Sequence, residues 1–337
     1  MKKFKRIFAV FFSLLLAAGI LGGCGKAESS SISASSASQS GSKPLKIVTT
    51  IFPEYDWVRE ILGDKADHAE VTMLLDNGVD LHSYQPTADD IIKISDCDLF
   101  IYVGGESDGW VEDALKEATN QNMKVINLLD VLGEQVKEEE VVEGMEGEEE
   151  EEVDEEEGPE YDEHVWLSVK NAGTLCNAIT DALEEIDPAN KDAYATNAAS
   201  YLEKLAALDG EYQTVVDNAA RKTVLFGDRF PFRYLVDDYG LSYYAAFAGC
   251  SAETEASFET ISFLAGKVDE LRLPCVLTIE GAQHKIAETI VQNTAEKNQS
   301  ILTLDSMQGT TLKDVENGTT YLSVMENNLN VLKQALN

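Results

Sequence analysis

Basic residues are scarce. Against 61 Asp plus Glu, the 337-residue chain has only 26 Lys plus Arg, a formal net charge of −35. With no Lys/Arg patch in its body, such a chain is repelled by phosphate backbones, which argues against nucleic acid as a partner. Polycations and metal cations suit that field. Cysteine is sparse too: there are five, and no two form a C-x-x-C pair, so neither a thiolate zinc cluster nor a thioredoxin-like motif is supported. No G-x-x-x-x-G-K-S/T is present, which sets nucleotide hydrolysis aside, and no H-E-x-x-H points to a zinc protease. One long apolar run exists, Ile7 to Ile20, and it is short of the roughly 20 residues of a comfortable membrane span. Only four histidines occur, so each can be weighed.

What is present begins with an address. Lys2, Lys3, Lys5 and Arg6 precede the apolar run, as in a secretory signal. The run ends in Leu21-Gly22-Gly23-Cys24, which resembles the bacterial lipobox and implies a mature lipoprotein that begins at a lipidated Cys24. Residues Lys26 to Lys43 include nine serines and little that is apolar, the composition of a flexible tether. Four cysteines remain. An exported location permits disulfides, and Cys250 with Cys275 could close one; buried free thiols are the alternative.

The chain is 44% hydrophobic overall, and its body is long enough for two domains. Apolar runs at Lys46–Ile51, Glu70–Leu75, Asp98–Val103 and Lys124–Leu128 alternate with helical patterns. After a long connector the alternation restarts at Thr223–Phe226 and continues through Cys275–Ile279 and Ile301–Leu304. Several runs lack polar/apolar alternation, the mark of parallel strands covered on both faces. The fold class expected is α/β, with two parallel-rich lobes. Between them Tyr194, Ala198, Tyr201, Leu202, Leu205, Leu208, Tyr212, Val215 and Val216 form one helical stripe after Asp187-Pro188. That helix would span roughly 40 Å, long enough to act as a spine. Eighteen acids and one lysine crowd the window from Glu134 to Glu163, which reads as a disordered loop. The boundaries expected are a signal peptide over 1–23, a tether over 24–44, an N-terminal lobe over 45–186, the helix over 187–220 and a C-terminal lobe over 221–337.

The chemistry falls in loops after strands, where α/β sheets bind ligands. His82 lies in Gly78-Val79-Asp80-Leu81-His82-Ser83-Tyr84-Gln85-Pro86, and His164 in Asp162-Glu163-His164-Val165-Trp166-Leu167-Ser168. The first segment resembles the P-G-x-x-P-H-x-Y-x-P loop of the zinc/manganese solute-binding lipoproteins of ABC importers. The second resembles their D-P-H-x-W-L-(D/S)-P loop, and Thr303-Leu304-Asp305 resembles their L-D-P motif. The likeness runs from about Leu45 to the end. It implies two α/β lobes joined by a long helix, with one metal ion held in the cleft by His82, His164 and Asp305. It also implies a monomer on the outer face of the bacterial cytoplasmic membrane, serving a separate permease and a separate ATPase chain, and no enzyme.

One departure stands out. The family's third ligand is a His or Glu in an (H/E)-x-x-x-x-Y pattern, and counting back five from Tyr234 gives Arg229, which cannot ligate. Asp228 would serve after a one-residue shift; otherwise Asp228 and Arg229 are a structural pair. Glu280 and His284 are the remaining candidates for a fourth donor. Zinc is the ion expected first and manganese second, since two histidines with two carboxylates serve either. Two readings from other classes remain: a surface adhesin, for which an anchor and a charged loop suffice, and a metallohydrolase with an open zinc position.

Overall fold

The structure, a computed structural model, describes residues 43–146, 160–251, 255–281 and 284–337. The signal peptide, Cys24, the tether up to Ser42 and residues 147–159 of the acidic window lie outside the described residues. Among the described residues no helix is long and apolar enough to cross a membrane.

The N-terminal half contains β1 (Leu45–Thr49), β2 (Ala69–Met73), β3 (Leu99–Tyr102) and β4 (Lys124–Asn127), all parallel in the order β2-β1-β3-β4. The C-terminal half repeats the plan with β5 (Thr223–Arg229), β6 (Ser242–Phe247), β7 (Cys275–Thr278) and β8 (Ser300–Thr303), parallel in the order β6-β5-β7-β8. This is the α/β class that the alternating pattern predicts. The central strands are buried without alternation over Ile47–Thr49 in β1 and Leu99–Ile101 in β3, as strands covered on both faces must be. Crossovers in the first half are α1 (Phe52–Leu62), α2 (Ala88–Ser95) and α3 (Val111–Lys116), and α4 (Leu128–Leu132) follows the last strand. Then α5 (Val169–Ile186) leads into α6 (Lys191–Asp217). In the second half come α7 (Arg233–Tyr239), α8 (Phe258–Leu271), α9 (Lys285–Asn293), α10 (Leu312–Glu316) and α11 (Tyr321–Ala335).

Helix α6 is the spine. Its 27 residues reach about 40 Å. Seven of the nine stripe residues are buried, Leu202 and Val215 being the partly exposed pair at its edge. Asp187 fixes the start by accepting from Asn190 and from the Tyr194 hydroxyl, both at 2.7 Å. The last helix, α11, crosses back to the first half: Tyr321 packs edge-on against Trp57, and its amide donates to Asp56 at 2.9 Å. One hydrophobic cluster therefore runs from the first sheet through the spine into the second half, and it holds the two halves in fixed register at the site.

The described flanks of the acidic window, 134–146 and 160–163, have defined contacts; the expected disorder of 147–159 lies outside the described residues. The Glu139 amide donates to the Glu160 carbonyl and the Asp162 amide to that of Lys137, each at 2.9 Å. The Glu146 amide reaches the Ala246 carbonyl of β6, Met145 is buried, and Arg233 pairs with Glu140. Repulsion among glutamates loses here because backbone amides and an arginine compensate them and one methionine anchors the turn.

Glu54, wholly buried in α1, accepts from the Thr50 amide, the Thr50 hydroxyl and the Ile51 amide. Burial, then the nearby Asp108 carboxylate, pushes its pKa up to about 8. Between its ordinary value and 8 the folded state holds a proton that the unfolded chain has released. Stability is thus full in acid and falls as pH rises through that window, by about 1.4 kcal/mol per unit. Glu54→Gln keeps an oxygen for the three donors and carries no charge. Melting temperatures of the variant should decline less between pH 5 and pH 8 than those of the parent; parallel profiles would refute the assignment.

Candidate metal centre

His82 sits in the loop after β2. Asp80 opens a single turn there, Leu81–Ser83, by accepting the His82 amide at 3.0 Å, and Leu81 is buried beneath it. The His82 Nδ1 lies 2.8 Å from Ser107 Oγ and 3.5 Å from Glu163 Oε2. Ser107 is in turn fixed by its amide, which donates to Glu163 Oε1 at 2.9 Å. Gly105, at φ +81°, allows the loop after β3 to lie this close: a Cβ there would come within 2.3 Å of Glu163 Oε1.

His164 is wholly buried where the acidic window ends. Its amide and its Nδ1 both face Asp162 Oδ1, at 2.8 and 2.9 Å. An ionised carboxylate only accepts, so Nδ1 carries the proton and Nε2 is left with its lone pair. Tyr234 holds Asp162 in place by donating its hydroxyl to the Asp162 carbonyl at 2.8 Å. The free His164 Nε2 meets His82 Nε2 at 3.2 Å. Two imidazole lone pairs tolerate that separation only with a proton or a cation between them. Burial alone would lower the His164 pKa, but the Asp162 carboxylate, with Glu163 and Asp80 behind it, outweighs burial and raises it. His82 is driven down, by burial first and by the His164 charge next.

A third donor atom joins them. The Cys250 thiol lies within 4.8 Å of the ligand atoms of His82 and His164, the one such group of three His, Cys, Asp or Glu side chains among the described residues. Gly249 makes the approach possible, because a Cβ at that position would sit 3.0 Å from the Phe230 carbonyl and 3.1 Å from the His164 ring. The Cys250 amide donates to Glu139 Oε1 at 3.0 Å. All four cysteines of the described residues are free thiols, so Cys250 and Cys275 are not bridged.

The other residues singled out in the sequence lie outside this group of three. Asp305 caps the following turn by accepting the Met307 amide at 2.7 Å, and burial, then the Glu280 charge, raises its pKa to about 6. Glu280 accepts from the Ser306 amide and hydroxyl at 2.6 and 2.7 Å and from the Gln308 and Gly309 amides, a structural role. Asp228 accepts from the amides of Arg229 and Ile279. His284 starts α9 with its Nδ1 buried and without a partner. None of the four lies in the group formed by His82, His164 and Cys250. Arg229 faces the cleft and binds Asp80 at 2.6 Å, so its pair is across the two halves rather than with its neighbour Asp228.

Cys250, Glu163 and Ser107 were not legible as site residues. The signal for Cys250 is weak: a cysteine after glycine at the end of an apolar run, 86 positions from its nearest histidine partner in sequence. The arrangement fits a transition-metal ion. Two nitrogens at about 2.0–2.1 Å from a tetrahedral zinc lie about 3.3 Å apart, and the imidazole pair is already at 3.2 Å.

Residues 47–335 match the ZnuA family, described as the zinc-uptake complex component A, periplasmic. The chain is similar to the zinc-binding lipoprotein AdcA of Streptococcus pneumoniae, 33% identical over 292 residues, which are 86% of this chain and 55% of AdcA. It thus spans about half the length of that relative. To the high-affinity zinc uptake system protein ZnuA of Bacillus subtilis it is 31% identical over 337 residues, 99% of this chain and 98% of that one. Among solved structures, the Zn(II)-bound ZnuA-like domain of S. pneumoniae AdcA superposes with a TM-score of 0.67 at 30% identity, covering 87% of this chain and 98% of that domain.

Proposed function

The chain belongs to the ZnuA family, and from that premise we propose that it is an extracytoplasmic solute-binding lipoprotein that captures one divalent transition-metal ion, zinc first, and hands it to an ABC importer. The observation that carries this reading is the facing pair of imidazole nitrogens, each with its other ring nitrogen already engaged. Such engagement fixes ring orientation and tautomer before the ion arrives, the usual support of a metal-binding histidine. The names of AdcA and of the B. subtilis ZnuA favour zinc over manganese as cargo. Anchoring through Cys24, export, a monomeric state, and a separate permease and ATPase follow from the same reading. The adhesin and metallohydrolase readings have no observation of their own in the cleft.

Titration calorimetry of the mature protein with zinc tests the proposal. One ion per chain is expected, and absence of saturable binding of any divalent transition metal would end it. The supporting carboxylate gives a second check. Asp162→Ala removes the acceptor that orients His164 and should weaken zinc binding by about 10–100-fold. An unchanged affinity would mean that His164 is held without it.

A further inference from the structure

We propose that Cys250 is the third donor and that the cleft takes a thiophilic divalent ion, zinc or its mimic cadmium, in a set of two imidazoles and one thiolate. This rests on the reading of the cleft as an ion site and specifies its donors and its selectivity.

The case begins with the place where a third ligand is expected. Arg229 fills it with a permanent cation that has no lone pair. The guanidinium is not idle. Its Nη2 binds Asp80, the residue that shapes the His82 turn, at 2.6 Å, and its Nη1 reaches the Ser251 carbonyl at 3.4 Å. Arg229 therefore ties the loop of His82 to the loop of Cys250, a positioning residue that brings the thiol in where an imidazole is missing. Asp228 and Glu280 have both carboxylate oxygens on backbone amides or a hydroxyl, Asp305 holds the Met307 amide with Oδ1, and none of the three lies in the group.

The geometry requires little movement. With zinc–sulfur at about 2.3 Å and zinc–nitrogen at about 2.0–2.1 Å, a tetrahedral nitrogen–sulfur edge is about 3.6 Å. The donor atoms already lie within 4.8 Å of one another, so turning the Cys250 side chain inward completes the set. Both imidazoles come from the first half of the chain, and Cys250 is the donor of the group that comes from the second. As the ion binds, the thiol proton goes to solvent and the sulfur lone pair forms the metal bond; no oxidation state changes. Glu139, Asp162 and Glu163 all act electrostatically on that sulfur, and their negative charge compensates the incoming dication. A soft thiolate selects zinc or cadmium and disfavours manganese, magnesium and calcium, which prefer all-oxygen shells.

Cobalt(II) is the probe. Bound to the mature parent protein it should give a thiolate-to-cobalt charge-transfer band in the near ultraviolet. Cys250→Ser should abolish that band and weaken zinc binding at least about tenfold, while Cys275→Ser keeps both. Cadmium should compete with zinc and manganese should not. A parent that binds cobalt without the band, with Cys250→Ser binding zinc as the parent does, overturns the thiolate while leaving the ion site standing. Manganese binding as tight as zinc overturns the selectivity. A parent that binds no transition metal defeats the underlying reading instead. Should Cys250→Ser fail to fold, the parent's cobalt spectrum decides alone.

Discussion

Replacing His82 and His164 together with alanine should weaken zinc binding by at least about a thousandfold, or about 4 kcal/mol. The two imidazoles are the only nitrogen donors of the group, and each has its other ring nitrogen on a partner of its own, Ser107 for His82 and Asp162 for His164. The two substitutions differ in what else they disturb. His164 is wholly buried, so its removal opens a cavity beside Trp166 and strands Asp162, and a lower melting temperature is expected with it. The His82 side chain is 12% exposed and sits at the mouth of the site, so His82→Ala alone should leave stability close to that of the parent. Calorimetry on His82→Ala separates the two effects. If that variant folds and still binds zinc as tightly as the parent, the imidazole pair is not the site.

The architecture was largely open to inspection in the sequence, because it follows from local periodicity. Parallel strands such as β3 read as unbroken apolar runs, and the stripe on α6 needs only a 3.6-residue period. Two elements hide. In α5, Thr174, Asn177 and Thr180 blur the pattern, and Thr180 is buried only because its hydroxyl turns back to the Cys176 carbonyl at 2.7 Å. In β6, tyrosines alternate in burial at a sheet edge, so no continuous run announces a strand. The site divides in the same way. His82 and His164 stand out because each lies in a long local motif. Cys250 and the Arg229–Asp80 pair depend on contacts between distant segments. The register of Asp228 and Arg229 was undecidable beforehand for a physical reason. β5 continues to Arg229 and shifts its pairing with β6 between Phe226 and Arg229, an irregularity that turns Asp228 toward the Ile279 amide and Arg229 toward the cleft. Gly227, where a Cβ would strike the Ala287 backbone at 2.6 Å, allows that stretch to pass beneath α9.

The proton that the imidazole pair holds should weaken zinc binding about a hundredfold between pH 6.5 and pH 4.5, on top of the roughly tenfold per pH unit that release of the Cys250 thiol proton adds throughout that range. The direction follows from the surroundings of His164. Burial opposes its charge, but Asp162, with Glu163 and Asp80, more than compensates, and its pKa lies above the ordinary 6.5. Below that value each bound ion releases one proton from the pair besides that of the Cys250 thiol, so the pair steepens the fall by about tenfold per pH unit. Above it this contribution levels off. His82 adds little slope, since burial and the neighbouring His164 charge keep it neutral. The fold should survive the acid limb, because Glu54, Asp56 and Asp108 are buried carboxyls whose pKa values are all raised, to about 8, 7 and 7, and so they favour the folded state as pH falls. Asp162→Asn provides the control. Without the carboxylate charge His164 loses its main support for a proton, so the onset of the slope should move to lower pH even though affinity at neutral pH is weaker. Zinc titrations at half-unit steps, with circular dichroism to follow the fold, measure both. A slope that does not steepen over the acid range, or an onset that Asp162→Asn does not shift, would show that no proton stands between the two rings.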